Sequence, residues 1–235
     1  MNGLKEDAHV FGVTLSDEQL SQFYTYYKML IEWNEKINLT AITDFDEVIK
    51  KHFLDSLSIG RILQQDSSVS ILDIGTGAGF PGIPIKIAFP DTEITLMDSL
   101  NKRVNFLNEV INTLGLKKIE ALHGRAEDFA KKDMLRETFD ICVSRAVANL
   151  SSLSEFCLPY VKVGGRFISY KSEKAMEELD ASKKAIDILG GGNVACDEFE
   201  LPGTDFKRTF VIINKMKETP LKYPRKAGTP VKQPL

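Results

Sequence analysis

The stretch "ILDIGTGAGFPGIP", Ile71 to Pro84, decides the fold. A short apolar run from Ile71 to Ile74 passes directly into glycines at 75, 77, 79 and 82. Glycine is used where the backbone needs positive φ, or where a missing Cβ lets a ligand approach. Three within five residues of an apolar strand therefore mark a ligand-contact turn. Two templates overlap here. Gly75, Gly77 and Gly79 read as G-x-G-x-G, whereas Gly77, Gly79 and Gly82 fit the dinucleotide fingerprint G-x-G-x-x-G. The two imply different cofactors.

Outward from the loop, short apolar runs alternate with helical patterns. Strands are expected at "SILDI" (from Ser70), "EITLMD" (Glu93), "IEALH" (Ile119), "FDICVS" (Phe139) and "GRFISY" (Gly165). Helices are expected from Ile83, Asn101, Ser151 and Glu173. That alternation predicts a parallel, doubly wound α/β sheet. "VACDEFEL" and "RTFVIINKM" are separated only by the turn-forming "PGTD", which predicts an antiparallel pair at the C-terminal edge of a seven-stranded sheet. Before the sheet lies a helical lead-in. Ser16 and Gln19 have capping-box spacing, with Leu20, Phe23, Tyr27, Leu30 and Ile31 on one face. A second helix runs from about Asp44 into the early sixties, with Val48, Ile49, Phe53, Leu54 and Leu57 inward. The expected organisation is a helical extension over 1–66, a Rossmann-like core over 67–217, and a basic tail over 218–235 packing on or near the active site. The segment from Pro220 is expected to be extended.

At 235 residues the chain can bury one sizeable core, too little for a two-domain dehydrogenase. No run approaches the roughly 18 apolar residues of a membrane span, so a soluble, cytoplasmic protein is expected, as a monomer. Cys142, Cys157 and Cys196 are widely spaced, which points to neither a disulfide framework nor a zinc site. The net charge of −3 is uneven: from Lys215 onward there are six basic residues and one acid. Such a tail is either a solvated terminus or an arm for phosphates.

In a doubly wound sheet, ligands bind beyond the carboxyl ends of the strands, and "MDSLNKR", "HGRAED" and "SRAVANL" all follow strands. Asp98 stands where a carboxylate takes hydrogen bonds from a ribose diol, which suits either cofactor. Asp73 separates them. A carboxylate before the first glycine repels a pyrophosphate but can hold the cationic amine of S-adenosylmethionine. Pro81 and Pro84 stiffen the turn beyond what a diphosphate loop needs, and the edge pair replaces the second mononucleotide half of a dehydrogenase. S-adenosylmethionine is therefore the expected cofactor. Ala126 and Glu127 fall where its adenine ring and amino group would lie, or they simply open a helix with first-turn acids. Arg145 ends the fourth strand beside the reacting methyl, or caps it through a salt bridge. Phe80 covers the cofactor or fills core.

The methyl acceptor is approached by elimination. The N/D-P-P-aromatic clamp common among exocyclic amine methyltransferases is replaced by "SRAV". Cys142 and Cys157 fall within a strand and a helix, as core residues do, rather than as the thiolate that carbon-5 methylation requires. What remains are acceptors with a ready lone pair, such as guanine N7, which needs alignment and desolvation but no general base. A small-molecule acceptor stays open.

Together "YKMLIEWNEKINLTAIT", "KHFLDSL", "LDIGTGAGFPGIP", "DSLNKRVNFL", "RAED", "SRAVA" and "YPRKAGTP" resemble the glucose-inhibited division protein B family nearly end to end. This family comprises the guanine-N7 methyltransferases of bacterial small-subunit ribosomal RNA. The resemblance implies a Rossmann-like class I S-adenosylmethionine-dependent methyltransferase acting on one guanosine in the decoding-region loop of 16S RNA, in the small subunit or an assembly intermediate. It implies a cofactor site of Gly75, Gly77, Gly79, Phe80, Gly82, Asp98, Ala126, Glu127 and Arg145, to which the charge argument adds Asp73; no pair of acids after the fourth strand has metal-ligand spacing, so no metal is expected. It also implies that Asn38 and His52, with Asn34, Thr40 and Asp55 nearby, form a polar wall over the methyl and act with Arg145 in catalysis. Read alone, without the resemblance, His52 is a satisfied surface or core histidine. Lys36, Arg125, Arg225 and Lys226 are implied to grip RNA phosphates.

Overall fold

The computed structural model describes residues 1–131, 134–145, 148–172 and 175–235. The lead-in begins with a helix that the sequence pattern does not announce, α1 (Asn2–Val10), whose buried Leu4 and Ala8 are one turn apart in an otherwise charged segment. Two apolar positions are too few to stand out as a periodic face. Helix α2 (Asp17–Ile37) opens on the expected capping box: Gln19 N–H donates to Ser16 Oγ at 3.2 Å and Ser16 N–H to Gln19 Oε1 at 2.8 Å. Its buried face is Leu20, Phe23, Tyr26 and Leu30. Tyr27 and Ile31, expected inward, are only half-buried. Adjacent tyrosines cannot be told apart by spacing. Tyr26 goes inward, while Tyr27 donates its hydroxyl to Thr43 O at 3.2 Å nearer the surface.

The second expected helix is composite. Asp44 caps α3 (Phe45–Val48) by accepting from Glu47 N at 3.0 Å. A π-helical turn follows over Ile49–Leu54, then α4 (Asp55–Leu57) and a 3₁₀ turn over Ser58–Arg61. Val48, Ile49, Phe53, Leu54 and Leu57 are all buried, as their spacing predicts. The π turn adds a residue to the ladder, a feature frequent at functional sites, and it carries His52.

All seven expected strands form: β1 (Ser70–Ile74), β2 (Glu93–Asp98), β3 (Ile119–His123), β4 (Phe139–Arg145), β5 (Val161–Lys171), β6 (Gly191–Glu200) and β7 (Lys207–Lys215). They make one sheet in the order β3-β2-β1-β4-β5-β7-β6. The pairs β1–β4, β2–β3 and β4–β5 are parallel, while β5–β7 and β6–β7 are antiparallel, which gives the C-terminal edge pair. The connecting helices are α5 (Gly82–Ala88), α6 (Asn101–Thr113), α7 (Ala126–Phe129), α8 (Leu150–Cys157) and α9 (Ala175–Ile188). The expected helix start at Glu173 lies outside the described residues, as do Ala146 and Val147 of "SRAVA". The tail departs from expectation: it is not extended throughout but forms a short helix, α10 (Thr229–Lys232), with Pro230 in its first turn. There proline's fixed φ suits a helix and its missing N–H costs nothing. Among the described residues no helix is long and apolar enough to cross a membrane.

The chain forms two compact units. One comprises Met1–Ser68, Thr76–His123 and Leu201–Asp205, the other Val69–Gly75, Gly124–Glu200 and Phe206–Leu235.

Candidate active site

In the first unit, the glycine loop folds around Thr76. Thr76 N–H donates to Met97 O at 3.2 Å, and its own carbonyl accepts from Gly79 and Phe80 N–H at 2.9 Å each. Gly77 and Gly79 have φ of 62° and 99°, where a side chain is strained. A Cβ on Gly79 would also lie 2.6 Å from Ile83 Cδ1 and 2.8 Å from the Tyr26 hydroxyl. Asp98, at the end of β2 and buried, closes the loop. Its Oδ2 accepts from Gly77 N at 3.0 Å and faces Arg103 Nη1 at 3.4 Å, and its Oδ1 accepts from Leu100 N at 2.9 Å. A carboxylate has about four acceptor directions, so Oδ1 keeps one for a ligand. The spacing from Gly77 located Asp98, but its grip on the loop backbone was not legible in the sequence.

The helical lead-in supports this loop. Tyr26 donates its hydroxyl to Ala78 O, and its ring centroid lies 5.5 Å from that of Phe80 and 5.4 Å from that of Phe53. Gln19 Nε2 donates to Ile87 O at 2.7 Å. At the C-terminal end of α2, Asn38 takes a left-handed conformation (φ 49°, ψ 68°), and Asn34 Oδ1 accepts from Leu39 N at 2.6 Å and Thr40 N at 2.8 Å. The turned chain brings Thr40 Oγ1 to 2.8 Å from His52 Nε2, while that same oxygen accepts from Ile42 N at 3.0 Å. His52 stacks on Phe80, centroids 4.5 Å apart and planes 17° apart. Phe80 therefore fills core and carries the imidazole at once. Asn38 and Lys36 are exposed, and Lys36 pairs with Glu32 at 3.2 Å.

In the second unit, Asp73 is fully buried on β1 in register with Val143, and Gly75 follows with φ of 72°. Ser144 Oγ donates to Ile74 O at 2.9 Å, tying the end of β1 to β4, whose last residue is the half-buried Arg145. Ala126 and Glu127 open α7. Ala126 O accepts from the buried Tyr160 hydroxyl at 2.5 Å, and Glu127 Oε1 accepts from Gly228 N of the tail at 3.0 Å. Burial pushes the Tyr160 hydroxyl well above the usual phenol range and keeps it a donor. Burial likewise raises the Cys142 thiol, so it is no ready nucleophile.

Of the expected phosphate contacts, Arg125 and Lys226 are exposed. Arg225, also expected at a phosphate, is half-buried and has an internal partner. Nε and Nη2 fork onto the Glu155 carboxylate at 2.9 and 2.6 Å, and Arg225 N–H adds a bond to Glu155 Oε1 at 2.7 Å. Glu155 lies in a helix whose every residue is buried. Sequence reasoning missed it, although an acid within "LSSLSEFC" demands a partner. Two further tail anchors were also missed. Arg136 donates to the carbonyls of Thr219, Pro220 and Tyr223, and Lys215 Nζ, fully buried, bonds Glu137 Oε1 at 3.0 Å, Leu158 O at 2.6 Å and Thr219 Oγ1 at 2.8 Å.

The family model described as "GidB: rRNA small subunit methyltransferase G" matches residues 19–205. "Ribosomal RNA small subunit methyltransferase G" of Lachnoclostridium phytofermentans is 59% identical over 224 residues, covering 95% of this chain and 93% of that one. The protein of the same name from Clostridium perfringens is 51% identical over 232 residues, covering 99% and 97%. Among solved structures, an S-adenosylmethionine-dependent methyltransferase from Aquifex aeolicus superposes with a TM-score of 0.52 at 19% identity, over 72% of this chain and 93% of that one, a likeness of fold. By the family match and these near full-length identities, the chain belongs to the rRNA small subunit methyltransferase G family.

Proposed function

We propose that this protein transfers a methyl group from S-adenosylmethionine to N7 of a guanosine in the decoding-region loop of 16S ribosomal RNA. The observation that carries the reading is the 59% identity, over 95% of the chain, to a relative named for methylating small-subunit ribosomal RNA. The donor set fits the cofactor. Asp98 keeps an acceptor direction for a ribose hydroxyl, and Glu127, with Oε1 on Gly228, offers Oε2 to the adenine amino group. Asp73 favours a cationic amine, Ala126 lines the adenine, and Gly75, Gly77, Gly79 and Gly82 keep side chains out of the way. When bound, S-adenosylmethionine supplies a methyl group made electrophilic by its sulfonium.

The chain's own residues then align and desolvate the acceptor. Guanine N7 carries its lone pair at neutral pH, so no proton has to be removed before an in-line displacement, and no side chain need act as general base. His52, held edge-on by Thr40 and face-on by Phe80, offers a fixed polar wall to the looped-out base together with Asn38. Arg145 holds guanine O6, a phosphate or the cofactor carboxylate, leaving N7 open. Lys36, Arg125 and Lys226 take RNA phosphates without reading sequence. Selection of the site rests on loop shape and unstacked bases, because an A-form major groove admits no side chain.

The test is transfer of label from methyl-labelled S-adenosylmethionine to 16S RNA and to small subunits from cells lacking this gene. Label in one of these supports the reading. Label only in a small-molecule fraction of the same extract contradicts it.

A further inference from the structure

The C-terminal segment lies in the same compact unit as α7 and α8 and is held by polar groups along its length. Arg136 forks onto the carbonyls of Thr219, Pro220 and Tyr223 where it leaves β7. Glu155 takes both the main chain and the side chain of Arg225, spending both carboxylate oxygens on one residue. Beyond it, Ser152 Oγ donates to Pro230 O at 2.8 Å and Ser151 Oγ to Leu235 O at 3.3 Å, so α8 supplies three successive anchors. A solvated terminus has no use for a fully buried carboxylate as its socket. Burying that charge costs several kcal/mol unless the pair is well made.

Between Arg225 and the next anchor lies the contact with the cofactor motif. Gly228, at φ 83° and three residues past Arg225, points its N–H at Glu127 Oε1. Three residues span at most about 10 Å, so fixing both the backbone and the guanidinium of Arg225 leaves the Gly228 N–H little room. Tyr160 holds the same end of that short helix through the neighbouring residue's carbonyl, Ala126 O. We propose that the tail is a working part of the cofactor site, with Glu155 and Arg225 as positioning residues that, through Gly228 N–H, orient the Glu127 carboxylate toward the adenine amino group. This rests on the reading of Glu127 given above and adds to it a requirement for the intact tail.

The test measures discrimination rather than affinity alone. Binding of S-adenosylhomocysteine is compared with binding of its inosine counterpart, in which a carbonyl replaces the 6-amino group, for the full-length protein and its variants. A correctly aimed carboxylate accepts from the amino group and is repelled by the carbonyl, so the parent protein should prefer adenine by about tenfold or more. Glu127→Gln, whose amide can face either group, should lose that preference. Arg225→Ala should lose most of it too. Because that variant strands a buried charge, the paired Glu155→Met/Arg225→Met variant, which removes both charges, reads the same effect in a chain able to fold. A tail that only stabilises the fold would lower the melting temperature and leave the ratio unchanged. If both tail variants keep the parent ratio while Glu127→Gln abolishes it, the proposal fails alone. If Glu127→Gln keeps the ratio, the reading of Glu127 falls and the proposal with it.

Discussion

Gly79 shows what a single residue contributes to the loop. With φ at 99° and a would-be Cβ within 3 Å of Ile83 and the Tyr26 hydroxyl, Gly79→Ala combines backbone strain with a clash against the groups that brace the loop. Strain alone costs about 1–2 kcal/mol, so denaturant unfolding should show at least that loss, with weakened cofactor binding by calorimetry. Lys86 makes a different residue-scale prediction. It is buried on α5, donating to Pro90 O at 2.8 Å and Thr92 O at 2.5 Å, and burial, with Lys118 nearby, lowers its pKa from 10.5 to about 8. In that window the unfolded chain holds a proton the folded chain does not, so stability should gain as pH rises from about 8 to 10.5. Lys86→Met should remove that gain in denaturation curves measured across the interval. Which residues were legible followed from their pattern. The glycines and Asp98 announce themselves by spacing. The choice of Tyr26 over Tyr27, and the partnership of Glu155 with a residue 70 positions away, depend on packing that no local pattern contains.

At the scale of elements, sequence periodicity was sufficient for every strand, because each apolar run is short and bounded by turn residues. It did not reveal the π turn, since Val48, Ile49, Phe53, Leu54 and Leu57 face inward in either kind of helix. Nor did it reveal α10, four residues in a segment whose prolines read as extended chain. The tail's attachment to α8 carries the clearest energetic expectation here. Arg225→Ala leaves Glu155 buried without its partner and should destabilise the protein by about 3–5 kcal/mol, whereas the paired removal of both charges should cost much less. Thermal unfolding of the two variants side by side checks this.

For the whole molecule, the acidic body and basic tail noted in the sequence need refinement, because the tail's charges do different work. Arg225 and Lys215 are spent on internal carboxylates, while Lys226 on the tail, with Lys36 and Arg125 elsewhere, stays exposed. Replacing Lys226, Lys36 and Arg125 by Ala should each lower the salt dependence of RNA binding, by roughly 0.7–0.9 in the log–log slope for every phosphate no longer neutralised, with cofactor affinity unchanged. Filter binding across a salt series measures it, and an unchanged slope removes that residue from the RNA interface. The central claim concerns the acceptor atom, and it is tested most directly by digesting the methylated 16S RNA to nucleosides and identifying the product by mass spectrometry. A single N7-methylguanosine is the predicted result. Any other methylated nucleoside, or none with the cofactor bound, would contradict it.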